Sequence, residues 1–367
     1  MTIHTTTITT PNQSLSARWR SLRQTRPHLR IRDAAEELGV SELELRATEI
    51  GTQPAGECGA TRLRSESIRT MLGELERLGE IMALTRNAWA VHEKIGPWTP
   101  LQLGSEFGLV LGEHIDLRLF MSHWTHAIAV SELIEHGPGA GDLRHSLHFF
   151  DASGEALHKV YVREPEGVAE FIELVDRHRS DDQRPWQQVE PRPEPAEPLP
   201  DEAIAVPEFH AAWLALHDTH EFFPMLRRFS VGRTQALRLA PPEHAFPVAC
   251  DSITKLLRSA CDAGTSIMVF VGNRGCLQIH TGPVHRIMPL GPWINVMDPD
   301  FNLHLRTDAV AEAWVVRKPT DDGIVTSLEL FDSAGETIAL LFGARKPGIP
   351  EQDAWRERIA ELEPLPR

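Results

Sequence analysis

Apolar positions along the chain fall into helical and strand-like spacings that recur in its two halves. Ile68, Met71, Leu72 and Leu75 stand at i, i+3, i+4 and i+7, and Ile253, Leu256, Leu257 and Ala260 repeat that spacing. Each half thus has an amphipathic helix ahead of a run of strands. The strands read as short apolar stretches bounded by Gly, Asn and Asp, and FDASGE (150–155) and FDSAGE (331–336) have the composition of hairpin turns. Helices packed on antiparallel strands define an α+β unit.

The likeness between halves extends to residue identity. IMALTRNAWAVHEKIG (81–96) matches IMVFVGNRGCLQIHTG (267–282), with Ile, Met, Asn and Gly in register. At the same offset DLRL (116–119) falls on NLHL (302–305), and SLHFFDASGE from Ser146 keeps six of ten residues of SLELFDSAGE from Ser327. Three matches in one order indicate internal duplication. Between them the chain reads RSDDQRPWQQVEPRPEPAEPLPDEAIAVP (179–207), a composition that makes a stiff, solvated connector. The expected organisation is a disordered lead-in over 1–25, an N-terminal repeat over 26–178, the linker over 179–207 and a C-terminal repeat over 208–367. Two such sheets side by side would leave a crevice, a place where ligands often sit.

Composition narrows the partners. The 367 residues suit two domains, and 52 acidic against 37 basic side chains give a net charge of −15. That balance counts against nucleic acid and against anionic membrane surfaces, while leaving room for a local basic pocket. Four scattered cysteines with no CxxC pair fit a reducing compartment. The Thr-rich start lacks the order of a secretory signal, and no apolar run is long enough to span a bilayer, so a cytoplasmic protein without stable membrane insertion is expected.

The densest candidate chemistry is WLALHDTHEFFPMLRRFSVGR (213–233). A continuous helix would put His217 and His220 on one apolar face. Alternatively, Asp218 and Glu221 have capping-box spacing and would start a second helix at His220, with Pro224 tolerated in its first turn. A histidine in such a place is commonly a core or boundary residue. Here aromatics and Arg227, Arg228 and Arg233 accompany it, company that suits a large, flat, iron-bearing ligand with carboxylates. HExxH, CxxCH, GxSxG, Walker A and GxGxxG are all absent from the sequence, which removes the commonest zinc, c-type haem, hydrolase, nucleotidase and dehydrogenase readings.

Two further features have bland counterparts. RDAAEELGVSELEL (32–45) has helix-turn-helix form, with Ser41 and Glu44 as a capping box, which raises a DNA-binding regulator as a remote alternative. Glu42 and Glu44 would face phosphates there, so a plain helical hairpin is preferred. Arg118, alternating with Leu and Phe on a strand, would ordinarily face solvent. The duplication equates it with His304, giving each half one polar side chain at the same position.

The order LGVSExEL, TRNxxAVHE, DLRLF, SLxFFD with HKVYV, DTHEFF, IMVFVGNRGC, WINV, RKPTxDG and VTSLELF resembles the cytoplasmic haem-utilisation proteins called haemin-degrading factors, of the HemS/ChuS type, from about Arg30 to Leu362. The resemblance implies two tandem repeats, each an antiparallel β-sheet with packed helices, forming a cleft for haem b as ligand or substrate. It implies His220 as the axial iron ligand and Arg118 on the opposite side of the iron, where a guanidinium cannot ligate but can hold a distal water. Arg233, Lys318 and Arg345 match basic residues near the propionates, and His92 matches a secondary haem contact. It also implies haem trafficking and iron acquisition, with receipt from the cytoplasmic side of an uptake transporter and delivery to a downstream acceptor. Reductant-dependent haem degradation by a true oxygenase is the alternative. One departure stands out: where relatives read QLYGQR, this chain reads LLFGAR, so Phe342 and Ala344 make the expected pocket more apolar.

Overall fold

The asparagines shared by the first pair of blocks show what the duplication conserves. The computed structural model describes residues 14–51, 58–134, 139–194, 197–346 and 348–366. In it each block is a hairpin, Glu80–Arg86 with Ala90–Pro97 and Ile267–Gly272 with Cys276–Gly282. Ile81 faces Gly96 and Ile267 faces Gly282, the same register. Asn87 and Asn273 sit at the turns, and each Oδ1 accepts from the backbone N–H groups two and three residues on. Their Nδ2 groups cross over, Asn87 donating to Gly272 O (3.2 Å) and Asn273 to Arg86 O (2.8 Å). A short amide meets both demands, since it closes its own turn and satisfies a carbonyl of the other.

The second pair of blocks also occupies matching positions, on exchanged partners. Asp116–Phe120 pairs with Cys276–Gly282 from the C-terminal half, and Phe301–Arg306 pairs with Ala90–Pro97 from the N-terminal half. Arg118 lies opposite Leu277 and His304 opposite Val91, equivalent sites in the two pairings. Compact units therefore cut across the sequence halves: one holds Met1–Leu78 and Ser122–Arg192, the other Gly79–Met121 and Pro193–Arg367.

The second unit contains a nine-stranded antiparallel sheet. Its strand order is Ala245–Val248, Glu312–Thr320, Gly323–Phe331, Thr337–Gly343, Ile267–Gly272, Cys276–Gly282, Asp116–Phe120, Phe107–Leu111 and Leu101–Leu103. A further run joins Glu80–Arg86, Ala90–Pro97, Phe301–Arg306, Trp293–Met297 and Ile287–Leu290. Helix Ser252–Ala263 buries the predicted quartet Ile253, Leu256, Leu257 and Ala260 against Val269, Leu328 and Leu341. Period-3.6 and period-2 patterns thus meet in one core.

In the first unit the strand order is Gly59–Leu63, His126–Leu133, Leu143–Phe150 and Ala156–Val162. Ile68, Met71, Leu72 and Leu75 are buried as predicted. Asp151 and, in the second unit, Asp332 close the two predicted hairpins in the same way, each Oδ1 accepting from N–H groups two and four residues on.

One expectation changes, one alternative falls and one reading is refined. The lead-in over 1–25 is helical from Leu15 to Thr25, because Ser14 caps it and Trp19 is buried beside Ala34, Ala35 and Leu45; residues 1–13 lie outside the described residues. The 32–45 segment is the expected hairpin of Ile31–Leu38 and Glu42–Ala47, with Gly39 left-handed at the turn (φ 68°) and the Ser41–Glu44 capping box in place. A recognition helix is ruled out there, since Glu42, Leu43, Leu45 and Arg46 are buried and leave no face for a groove. The linker is largely exposed, as expected, but it is pinned at several points. Gln183 Nε2 donates to Arg62 O (2.9 Å) and Glu190 N to Ala152 O (2.8 Å), and in the second unit Gln235 Nε2 donates to Leu199 O (2.6 Å). No helix among the described residues is long and apolar enough to cross a membrane.

Candidate functional site

The His217–His220 segment takes the broken form. Helix Val206–Leu214, with Pro207 in its first turn, buries Phe209 and Trp213 and ends before Leu216. Asp218 is extended (φ −144°, ψ 145°) and caps a short 3-10 turn, Thr219–Glu221, that runs into helix Phe222–Phe229. The box is reciprocal: His220 N donates to Asp218 Oδ1 (2.7 Å), and Asp218 N donates to Glu221 Oε2 (3.2 Å). Phe222, Met225 and Leu226 turn inward, which drives the histidines outward. His220 is 89% exposed, and its Nδ1 donates to Asp218 Oδ1 at 2.6 Å. A carboxylate only accepts, so Nδ1 carries the hydrogen, which in the neutral ring leaves the lone pair on Nε2. His217, 72% exposed, makes a parallel contact to Asp321 Oδ1 (2.8 Å). That carboxylate, first by its hydrogen bond and then by its charge, raises the His217 pKa. Neither histidine is a core residue.

A face of the nine-stranded sheet carries the cationic candidates. Asp116, Ile279, Phe270, Leu340, Glu329 and Trp314 lie opposite one another across six strands, and Thr281, Met268, Phe342, Ser327 and Val316 form the next row. Alternation puts Arg118 and Leu277 on this face. Met268, Phe270, Leu277, Leu340 and Phe342 are half-buried, whereas their odd-phase neighbours Val269, Val271 and Leu341 are fully buried on the other face. Trp314, Val316 and Phe331, at one end of the shelf, share a buried cluster with Phe222, Met225 and Leu226. The shelf thus begins beside the helix that follows His220, and Arg118 lies farther along it, ion-paired with Asp116.

A buried ion cluster stands at the helix end. Glu329 is 0% exposed; its Oε2 accepts from Arg233 Nη2 (2.7 Å) and its Oε1 from Lys318 Nζ (2.7 Å) and Ser327 Oγ (3.0 Å). Burial alone would raise the Glu329 carboxyl, but Arg233 and Lys318 overcome it and hold it well below the usual carboxylate range. Burial pulls the Lys318 ammonium down to about 8, opposed by Glu329 and assisted by Arg233. Both cations also lie over the Phe222 ring, at 4.9 Å for Arg233 and 4.5 Å for Lys318. Two cations on one carboxylate leave a surplus positive charge.

Arg345 belongs to the same neighbourhood. The Asp218 carboxyl is lowered mainly by the His220 backbone N–H, against some desolvation, and further by the His220 imidazole and the Arg345 guanidinium. Arg345 Nη1 is buried with no hydrogen-bond partner among the described residues. His92 is not part of this face. It is fully buried, its ring is 4.9 Å from Phe301, and His280 stacks on Phe301 at 3.8 Å. Burial first, then His280 and Lys94, keep it neutral. The phase of its strand turns it into the core, so the expected secondary contact has no access from the shelf.

The family model for the Haemin-degrading HemS.ChuX domain matches residues 39–178 and again 230–362. The chain belongs to this family. The Hemin transport protein HmuS of Yersinia pestis is 41% identical over 354 residues, covering 96% of this chain and 98% of its own. The crystal structure of holo-PhuS, a heme-binding protein from Pseudomonas aeruginosa, superposes with a TM-score of 0.89 at 44% identity, covering 96% of this chain and 99% of PhuS. The heme degrading enzyme ChuS of Escherichia coli gives 0.83 at 37% identity, covering 95% and 99%.

Within this HemS.ChuX-family chain, two features of the site escape a reading of sequence alone. Glu329 looks like an ordinary charge in VTSLELF; the strand is buried on both faces from Val325 to Phe331, and the phase Glu329 shares with Ser327 and Phe331 puts it on the shelf side. Asp218 is legible as a cap but not as the partner of an imidazole. Of the two departures, Phe342 belongs to the shelf itself and Ala344 lies just past the end of the same strand. The Phe342 ring is 5.0 Å from Phe270 and 5.8 Å from Lys318 Nζ, so the ammonium meets an aromatic edge of the pocket without a hydroxyl.

Proposed function

We propose that this protein binds haem on the open sheet face, with His220 as axial iron ligand, and carries it in the cytoplasm from an uptake transporter to an acceptor. The observation that carries this reading is the exposed His220 imidazole, its Nε2 left outward by the Asp218 contact, beside an apolar shelf rimmed by cations. Met268, Phe270, Leu277, Leu340 and Phe342 suit a flat macrocycle. Arg345, with its unpartnered buried Nη1, and the Arg233–Lys318 pair, with its surplus charge, suit two propionates. Arg118 would face the bound haem from the other side, where its guanidinium could hold a water. Haem, when bound, supplies the iron and both carboxylates. Haemin titration should give a sharp Soret band that weakens or shifts in His220→Ala; an unchanged band in that variant overturns the site.

Kinship with ChuS, a heme degrading enzyme, supports a second reading in which the bound macrocycle is also opened oxidatively. Product formation with an electron donor should then persist when catalase is present. Complete loss under catalase leaves carriage as the function.

A further inference from the structure

Asp218 touches its histidine twice with one atom. Its Oδ1 accepts from His220 N at 2.7 Å and from His220 Nδ1 at 2.6 Å. The first bond starts the turn that leads into helix Phe222–Phe229, and the second holds the ring. Glu221 Oε2 accepts from His217 N (2.8 Å) and Asp218 N (3.2 Å), which holds the backbone that carries Asp218, and swinging the Asp218 carboxylate away would break its bond to His220 N together with its bond to the ring. His217 has no such coupling, because its carboxylate, Asp321, comes from the turn between strands Glu312–Thr320 and Gly323–Phe331.

We infer that Asp218 is the positioning residue of the iron ligand, fixing the His220 tautomer and strengthening Nε2 as a donor through the same oxygen that caps the helix. This rests on the reading of His220 as the ligand. A carboxylate on the far nitrogen of a metal-bound imidazole locks its orientation and raises its basicity. Here the device is local, spans two residues and is set by a capping box, so ligand geometry is fixed as the helix forms.

Three variants of the full-length protein, loaded with haemin, separate the possibilities. Asp218→Ser keeps a good helix cap but offers no carboxylate to the ring. Asp218→Asn keeps a neutral acceptor. His220→Ala tests the underlying site. Asp218→Ser should weaken haemin affinity by roughly 10- to 100-fold while its thermal unfolding stays close to wild type. In both Asp218 variants the iron–histidine stretching band of the ferrous protein should fall in frequency, and the midpoint potential should rise, more in Ser than in Asn. Wild-type band and potential in both variants, together with an altered spectrum in His220→Ala, overturn the inference and leave the site standing. A wild-type spectrum in His220→Ala overturns both. Should Asp218→Ser fail to fold, Asp218→Asn decides alone by the same two readouts.

Discussion

The duplicated SLxxFD strand does opposite work in the two units. In the first, His148 stands where the second has Glu329, and each contacts the serine two residues before it at 3.0 Å. His148 is fully buried, and burial, then Lys159, Arg46 and Arg144, keep it neutral. Around it every cation has an acid: Lys159 pairs with Glu42, Arg46 with Glu49 and Glu132, and Arg144 with Glu132. Helix Glu42–Ala47 supplies two of these partners and is itself buried, so that copy is sealed by its own ion pairs. In the second unit one carboxylate serves two cations, and the neighbouring helix turns His220 into solvent. The same strand framework thus makes a sealed cluster where charges balance and a cation-rich one where they do not. That local surplus is what would let the proposed site in an acidic protein suit a dianionic ligand.

Removing the central acid should break the comparison most severely. Glu329→Leu leaves Lys318 buried beside Arg233 without a counter-ion, an imbalance that costs about 3–5 kcal/mol, readable by urea unfolding. Combining it with Lys318→Met should recover most of that loss, since an apolar pair of similar volume is nearly neutral. A Glu329→Leu protein as stable as wild type would show that the cluster does not hold the fold.

Acid sensitivity is the milder test, and it should be shared by the units. His158 in the first and His280 in the second are pushed by burial from 6.5 to about 3. Between those values the unfolded chain binds protons that the folded chain refuses. Stability is therefore intact above about pH 6.5 and falls steadily as pH drops toward 3. His280→Phe and His158→Phe should each move the acid-unfolding midpoint downward, followed by tryptophan fluorescence, and neither should alter the haem spectrum. A midpoint unmoved in both would remove buried histidines as the cause.

What was legible in the sequence is what local chemistry decides. The quartets Ile68–Leu75 and Ile253–Ala260, both aspartate-closed hairpins and the capping boxes at Ser41 and Asp218 depend on neighbours within a few residues. The burial of His92 was hidden, because a histidine on a strand can face either way until its partners Thr85 and Leu303 are known. The exchange of Asp116–Phe120 and Phe301–Arg306 between halves was hidden for the same reason, since the repeat predicts equivalent positions but not equivalent partners. Glu329 needed both facts, its phase and the approach of Arg233 from a helix 96 residues away in the chain.

The central claim is that the His220 imidazole is the iron ligand, and chemical rescue tests it most directly. His220→Gly loaded with haemin should lose the wild-type Soret and visible bands, and added imidazole should restore them in a saturable titration. A His220→Gly protein that shows the wild-type spectrum before any imidazole is added would contradict the account.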